Sequence, residues 1–278
     1  MPTGGAGSFG CRENLAGRVT EAWRPPLFDQ GRTRWQRGLA ALRRVLDLQA
    51  GSIWRDLAAE LPTVRGALLD VGCGAQPYRG LLRSDVAYLG IDSIHAKAHF
   101  GYEIPGTRYF SGVTWPVETE SIDVVLCVET LEHVLDPPAF LREMHRCLRP
   151  GGRVILTVPF AARWHFIPHD YWRFTPSGLK HLFNAAGFAE VEIYARGNSL
   201  TVACYKQMAL CLPLLLPQHS APVWRWTRWL LGVLASPAVL LLAVAGQASL
   251  RARGGDDCLG YTVLARRDDH PDPNESGG

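Results

Sequence analysis

The sequence predicts an α/β protein built on a doubly wound sheet with helices on both faces. Two observations carry this reading. Short apolar runs alternate with helical patterns from residue 67 to residue 195. Strands separated by helices run parallel, because each helix carries the chain back to the starting edge. The first run, Leu68-Leu69-Asp70-Val71, ends in Gly72-Cys73-Gly74. Missing side chains in such a turn let the backbone approach a ligand closely. Ligands of these sheets bind at the carboxyl ends of the strands.

The elements follow in order. Residues 1–64 divide into a loose, Gly- and Pro-rich lead-in and a helical stretch from residue 32 to residue 60. In that stretch Trp35, Leu39, Leu42, Leu46, Ile53, Trp54 and Leu57 recur near helical spacing between arginines. One or two helices packing on the domain edge are expected, with a membrane-surface or lid role as the alternative. The core spans 65–200. Its strands fall at 67–71, 88–91, 123–128, 153–158 and 190–195. A helix at 135–148 is closed by Arg149-Pro150-Gly151-Gly152. A second, at 175–186, opens on Thr175-Pro176, a cap followed by proline in the first turn, and ends at Gly187. Residues 201–256 form an apolar insertion, 257–267 supply a last strand, and the polar tail 268–278 is expected to be disordered.

Composition excludes several classes. Of 278 residues, 47% are hydrophobic and 20% charged, which suits a core of ordinary size and not a disordered chain. Lys and Arg number 29 against 26 Asp and Glu, and a net charge of +3 gives no case for nucleic acid as partner. The seven cysteines include no C-x-x-C pair. Neither a disulfide framework nor a zinc site is expected, and the thiols read as reduced and cytosolic. The N-terminus lacks the cationic start and apolar run of a signal peptide.

The glycine loop alone admits two cofactor classes. A dinucleotide fingerprint would want a further glycine where Pro77 stands. Asp92 ends the second strand, where a carboxylate accepts hydrogen bonds from both ribose hydroxyls of either cofactor. Its structural alternative is a helix cap.

Further segments narrow the choice. Asp70-Val71-Gly72-Cys73-Gly74, Tyr88-Leu89-Gly90-Ile91-Asp92, Ile122-Asp123-Val124-Val125-Leu126-Cys127 and Glu129-Thr130-Leu131-Glu132-His133-Val134 occur in that order, followed by the stretch from Phe140 to Gly152. Together they resemble a class I S-adenosylmethionine (SAM) dependent methyltransferase of the type 11 family, over about residues 65–196 plus the last strand. The resemblance implies a Rossmann-like seven-stranded sheet with the last strand antiparallel. It also implies that S-adenosyl-L-methionine lies across the ends of the first, second and fourth strands. On that basis Asp70, Gly72, Cys73, Gly74, Asp92, Ser111, Gly112, Val128 and Glu129 are the cofactor-binding candidates. Two positions depart from the family. Gln76 stands where a third glycine is usual, and Ser111-Gly112 where an acidic residue often faces the adenine. A serine makes a weaker hydrogen bond there than a carboxylate.

Two segments are candidates for chemistry on the acceptor. One is the stretch 129–133, just after the fourth strand, where His133 either serves as a base or only anchors the next helix. The other is the loop 164–175, dense in His, Asp, Arg and aromatic residues after the fifth strand. Loops of that kind over a sheet's carboxyl edge are usually functional, and this one is expected to close over the acceptor. Methyl transfer is an in-line displacement that needs alignment and, for a hydroxyl acceptor, a base. His133, His165, His169 and Asp170 are the candidates. The spacing of His165, His169 and Asp170 is only a loose metal pattern, and no metal is expected.

The insertion contains an apolar run at 208–216 and a second at 229–250 that carries no charge. The second is long enough to cross a bilayer, although Pro237 interrupts it. Trp224, Arg225, Trp226, Arg228 and Trp229 precede or open it as interfacial residues do. A last strand rejoining the sheet forbids a single crossing. A monotopic or re-entrant attachment to the cytoplasmic face of a membrane is therefore expected, against a buried hairpin or a dimer interface. The expected function is methyl transfer to a small or lipid-linked acceptor such as a glycan. A nicotinamide-dependent oxidoreductase and a non-catalytic membrane scaffold are the alternatives.

Overall fold

The computed structural model describes residues 15–17, 33–95, 103–167, 169–215 and 222–268. Most of the expected loose lead-in (with Cys11 and Arg32), the tail from residue 269, and Pro168 lie outside the described residues, as do the side chains of Trp224, Arg225, Trp226, Arg228 and Trp229.

The N-terminal helices are set by their caps. Thr33 forms a reciprocal capping box with Gln36 and starts α1, Arg34–Leu46. Asp47 then leaves the helical conformation and caps α2, Leu48–Glu60, by accepting from the Ala50 amide. The two helices differ in what they bury. Leu48, Ile53 and Leu57 of α2 are buried, as expected for a helix on the domain edge. In α1 only Ala40 is buried, and Trp35, Leu39, Leu42 and Val45 face outward. The edge-packing expectation therefore fails for α1.

Seven strands form one sheet: β1 Ala67–Val71, β2 Ala87–Ser93, β3 Thr107–Phe110, β4 Ile122–Val128, β5 Leu148–Pro159, β6 Phe188–Arg196 and β7 Gly260–Arg267. Their order is β3-β2-β1-β4-β5-β7-β6. Strand β7 runs antiparallel to β5 and β6, and all other neighbours are parallel. This is the sheet that the family resemblance implies. Central β1 alternates between two cores. Leu69 and Val71 join the residues packed by helices α3, Pro137–Cys147, and α4, Pro176–Ala185. Leu68 faces α2 together with Val124, Leu126 and Ile155. Strand β3 gives no apolar signal because it is a four-residue edge strand with no fully buried residue. The Arg149-Pro150-Gly151-Gly152 turn lies inside β5 and not ahead of it. Gly151 takes a φ of +73°, and the register with β4 slips between Ile122 and Val124.

Between β6 and β7 the chain forms α5, Ser199–Leu215, and α6, Pro222–Ser249, which pack on each other. Pro237 does not interrupt α6. Proline removes the amide that would reach the carbonyl four residues back, and here the Ser236 hydroxyl donates to that carbonyl, Val233 O, at 2.7 Å. The hairpin docks by one end. Cys204, Met208, Val239, Ala243 and Leu250 bury themselves around Leu48 and Leu259. Thr201 and Ser249 share a buried hydrogen bond of 2.6 Å. Gly246 lies so close to the domain that a Cβ there would sit 2.5 Å from Leu48 Cδ1. Leu48 is fully buried and has nowhere to move. Gly246→Val is expected to lower unfolding free energy by about 1–3 kcal/mol, the cost of overpacking a filled core, read from urea melts against the wild type. A variant as stable as the wild type would show that the hairpin is not docked on α2.

Candidate active site

The carboxyl ends of β1, β2, β4 and β5 meet at one edge, and the candidate residues gather there. The turn after β1 is tied to β2. The amides of Gly72 and Cys73 both donate to the Ile91 carbonyl, at 2.9 and 3.2 Å. Gly72 takes a φ of +70°, and a Cβ would collide with the Thr130 side chain after β4. Glycine is thus required both by the turn and by the close approach of β4. At Gln76, where the family resemblance implies a glycine, φ is +56°. A left-handed conformation costs a residue with a Cβ about 1–2 kcal/mol. The Gln76 amide offsets this by bonding the Thr107 hydroxyl at 3.0 Å and accepting from Arg79 at 3.0 Å.

Two carboxylates lie beneath this turn. Asp92, at the end of β2, accepts from the Gly74 amide at 3.0 Å and from the Ser93 amide at 2.8 Å, one on each oxygen. Burial raises its pKa, and the two amides oppose the rise. Each oxygen keeps a lone pair for a ligand hydroxyl. Asp70 is more deeply set and accepts from the Tyr88 hydroxyl at 2.7 Å. Burial pushes its pKa up to about 7, with the Asp92 charge adding to the rise and Tyr88 opposing it. Cys73 is buried, Val128 is half-buried, and Ser111 and Gly112 are exposed just beyond β3. A groove of about 710 Å³ lined by Ala67, Tyr88, Arg108 and Glu118 opens at the opposite end of the strands, and no candidate residue lines it.

The two segments expected to face the acceptor, far apart in sequence, lie against each other. After β4, residue Glu129 takes a φ of +49°, and Leu131–His133 make a single 3-10 turn. The loop after β5 lies over that turn. The amides of Tyr171 and Trp172 donate to the Glu132 carbonyl at 2.9 and 3.3 Å. The Trp172 indole donates to Val134 O at 2.8 Å, and His133 Nδ1 meets His169 O at 2.8 Å. The His133 ring lies edge-on to the rings of His165 and Phe166, each 4.9 Å away.

The four candidate bases separate by environment. Burial and the neighbouring His165 drop the His133 pKa to about 4, so His133 is neutral at pH 7. Burial pulls His165 down, but Asp170 outweighs it and the net shift is upward. Asp170 receives both Arg173 guanidinium nitrogens, at 2.6 and 2.8 Å, and the His165 amide at 2.9 Å. Burial opposes these bonds, yet they hold its carboxyl well below the usual range. Such a group does not take up protons near neutrality. Of the four candidates Asp170 is the one whose environment least favours taking a proton, and its bonds tie His165 and Arg173 together. His169 spends Nδ1 on the Tyr171 hydroxyl at 3.1 Å.

Sequence reasoning missed Arg196. Its guanidinium is fully buried at the end of β6, where it donates to Glu129 at 2.7 Å, Val158 O at 3.0 Å and Ser52 at 3.1 Å. The available signal was an arginine closing an alternating strand immediately before Gly197. With Arg196 on Oε1, Glu129 also serves as a strut.

Comparison with known proteins gives a consistent result. A family model described as a methyltransferase domain matches residues 46–193. A protein of Ruegeria pomeroyi named ubiquinone biosynthesis O-methyltransferase is 33% identical over 175 residues, covering 51% of this chain and 68% of that protein. A Xanthomonas oryzae protein of the same name is 28% identical over 166 residues, covering 52% of this chain and 66% of that one. The chain thus spans about two thirds of the length of these relatives. A Thermotoga maritima structure described as a SAM-dependent methyltransferase, possible histamine N-methyltransferase, aligns with 84% of this chain and 97% of its own. Its TM-score is 0.49 and its identity 16%.

Asp70 offers a direct test of the electrostatics at this edge. An acid whose folded pKa lies above its unfolded value contributes most stability at low pH and loses it as pH rises through the folded value. Replacing Asp70 by Asn removes that loss. The Asp70→Asn variant is expected to gain stability over the wild type as pH climbs from about 4 to about 7, with no further gain above. Paired urea melts across that range check it. A difference that does not change with pH would mean that Asp70 is not held protonated by burial.

Proposed function

The chain belongs to the class I, SAM-dependent methyltransferase family whose domain model matches it, and from that premise we propose that it methylates a hydroxyl oxygen of an amphipathic acceptor met at a membrane surface. One observation carries the reading. Asp92 and the Gly72–Gly74 turn share one sheet edge with the His133 and His165 imidazoles.

The residues present fit the cofactor. Asp92 has one lone pair free on each oxygen for adjacent ribose hydroxyls, and the Gly72–Gly74 turn admits a ligand against its backbone. Bound SAM supplies a sulfonium-activated methyl carbon. The protein's own part is to hold the acceptor oxygen in line and to see its proton removed. His133 is neutral and half-buried, and His165 is oriented by Asp170. Transfer to oxygen is supported by the names of the relatives, which are O-methyltransferases. Those names refer to ubiquinone biosynthesis and not to glycans, so a lipid-linked glycan is not favoured over other hydroxyl-bearing amphiphiles. The oxidoreductase alternative finds no support, since the family model and the relatives are methyltransferases. A catalytically silent scaffold would bind SAM without turnover.

Membrane contact is the second part of the proposal. The stretch Leu230–Ser249 of α6 has a mean hydropathy of 2.0, yet only 22% of its most apolar window is buried. That argues against a hairpin hidden in the domain. Leu230, Leu234, Leu241 and Val244 are exposed on α6, and Trp35, Leu39 and Leu42 are exposed on neighbouring α1 among arginines. Apolar faces with basic flanks suit the headgroup region of an anionic membrane. Both ends of the hairpin return to one sheet through β6 and β7, so the attachment is monotopic, and the cytoplasmic face is its natural side.

Two measurements test these statements. Asp92→Ala is expected to weaken SAM binding by about 1.5–3 kcal/mol, the scale of hydrogen bonds to a charged group, in calorimetry. Unchanged affinity, or binding of NAD in place of SAM, would sink the cofactor assignment. The fourfold variant L230S/L234S/L241S/V244S is expected to partition at least about tenfold less onto anionic lipid vesicles, since each exposed leucine is worth more than 1 kcal/mol on burial. Its fold should be intact, because these side chains already face outward. A wild type that ignores vesicles and is a stable dimer would assign the face to a second copy.

A further inference from the structure

The turn after β4 and the loop after β5 bring one carboxylate and two imidazoles together. Ligand-type atoms of Glu132, His133 and His165 all lie within 4.8 Å of one another. Glu132 is fully buried, and neither of its carboxylate oxygens has a hydrogen-bond partner. Its nearest cationic candidate is His133 Nε2, 3.6 Å away, beyond hydrogen-bond reach. A buried carboxylate left this way is costly unless a proton or a cation joins it.

The hydrogen bonds around the rings show what the neighbouring nitrogens offer it. His133 Nδ1 faces a carbonyl, His169 O, which only accepts. The ring proton therefore sits on Nδ1, and Nε2 presents a lone pair toward Glu132. His165 Nδ1 lies 3.0 Å from Arg163 O and 3.1 Å from Asp170 Oδ2, and both are acceptors. Its proton is on Nδ1 as well, which leaves Nε2 as a ligand nitrogen. A nitrogen of each ring and the unpartnered carboxylate thus lie within 4.8 Å of one another, while the Nδ1 proton of each ring faces another acceptor. Behind each stands a support of the type that orients metal ligands. Asp170 braces His165 and is itself braced by Arg173, the His169 carbonyl braces His133, and two loop amides fix the Glu132 backbone.

We propose that Glu132, His133 and His165 bind a divalent first-row transition-metal cation at the carboxyl edge of β4 and β5. Two histidines and one carboxylate fill one side of such an ion and leave positions open on the other. The set departs from the spacing pattern in the sequence: Asp170 bonds His165 and Arg173, the His169 ring bonds the Tyr171 hydroxyl, and the carboxylate comes from the turn after β4.

The open positions suit an acceptor oxygen, and this use rests on the O-methylation reading, whereas metal binding itself does not. A hydroxyl bound beside the cation loses its proton to solvent more readily. Its lone pair then forms the new O–CH₃ bond while the S–CH₃ bond breaks, with that electron pair staying on sulfur. The products are the methyl ether, a neutral thioether and the released proton.

The test uses the full chain, stripped with EDTA and free of SAM and acceptor. Mn²⁺, Co²⁺ and Zn²⁺ are titrated separately by calorimetry, and Co²⁺ also by its visible absorption. One cation per chain is expected. Glu132→Gln and His165→Ala should each weaken binding at least about tenfold, Asp170→Asn less, and exposed His181→Ala on α4 not at all. Urea melts identify any variant that fails to fold, and His165→Ala, on the loop, serves if Glu132→Gln does so. No cation on the wild type, or folded Glu132 and His165 variants that bind like the wild type, would overturn the proposal. Metal binding without SAM binding would overturn the methyl-transfer reading alone, and SAM binding without metal would overturn the metal site alone.

Discussion

The buried ion pair of Arg196 with Glu129 is the constraint on which the active edge depends. A guanidinium with no solvent contact is tolerable only where acceptors surround it. Here they come from three elements: Gln49 and Ser52 of α2, Glu129 after β4, and Val158 O in β5. Gly260 of β7 leaves the room, since a Cβ there would meet the guanidinium. The pair fixes where β4 ends and how Glu129 bends away at positive φ. That bend sends Thr130 under Gly72 and turns Glu132 inward. The Gly72–Gly74 turn and the turn after β4 are thus registered by one buried interaction.

The edge is expensive in stability. Asp70, Asp92 and Glu132 all have pKa values raised by burial. Gln76 and Glu129 hold left-handed conformations that favour glycine. Such costs persist where function needs them, and the surrounding core supplies the surplus. The loop after β5 is the opposite case. The Trp172 indole and the Tyr171 and Trp172 amides fasten it to the turn after β4, and Asp170 and Arg173 pair within it.

The hairpin of α5 and α6 is attached where this edge meets the outer surface. Its inner end packs on Leu48 and Leu259, and Lys206 of α5 donates to Ala161 O at the start of the β5 loop. An amphipathic acceptor whose tail stays with the apolar faces of α1 and α6 would bring its polar end toward that loop. Through Lys206 the hairpin touches the start of the loop after β5, although the two are distant in sequence.

Periodicity and turn chemistry were legible without coordinates. The runs at 67–71 and 123–128, the Thr175 cap and the Gly72–Gly74 turn are local features, and local sterics decide them. The order of motifs further identified the family and its antiparallel last strand. Three things were not legible. Strand β3 lacks a burial pattern because it lies at the edge. Helix α1 has the apolar spacing of a core helix but points that stripe outward, and only the position of α2 and α6 beside it decides that. The convergence of Glu132, His133 and His165 depends on the loop after β5 folding back over the turn after β4. Sequence carries the chemistry of each of these side chains, but their meeting is a contact between distant segments, and only tertiary packing creates it.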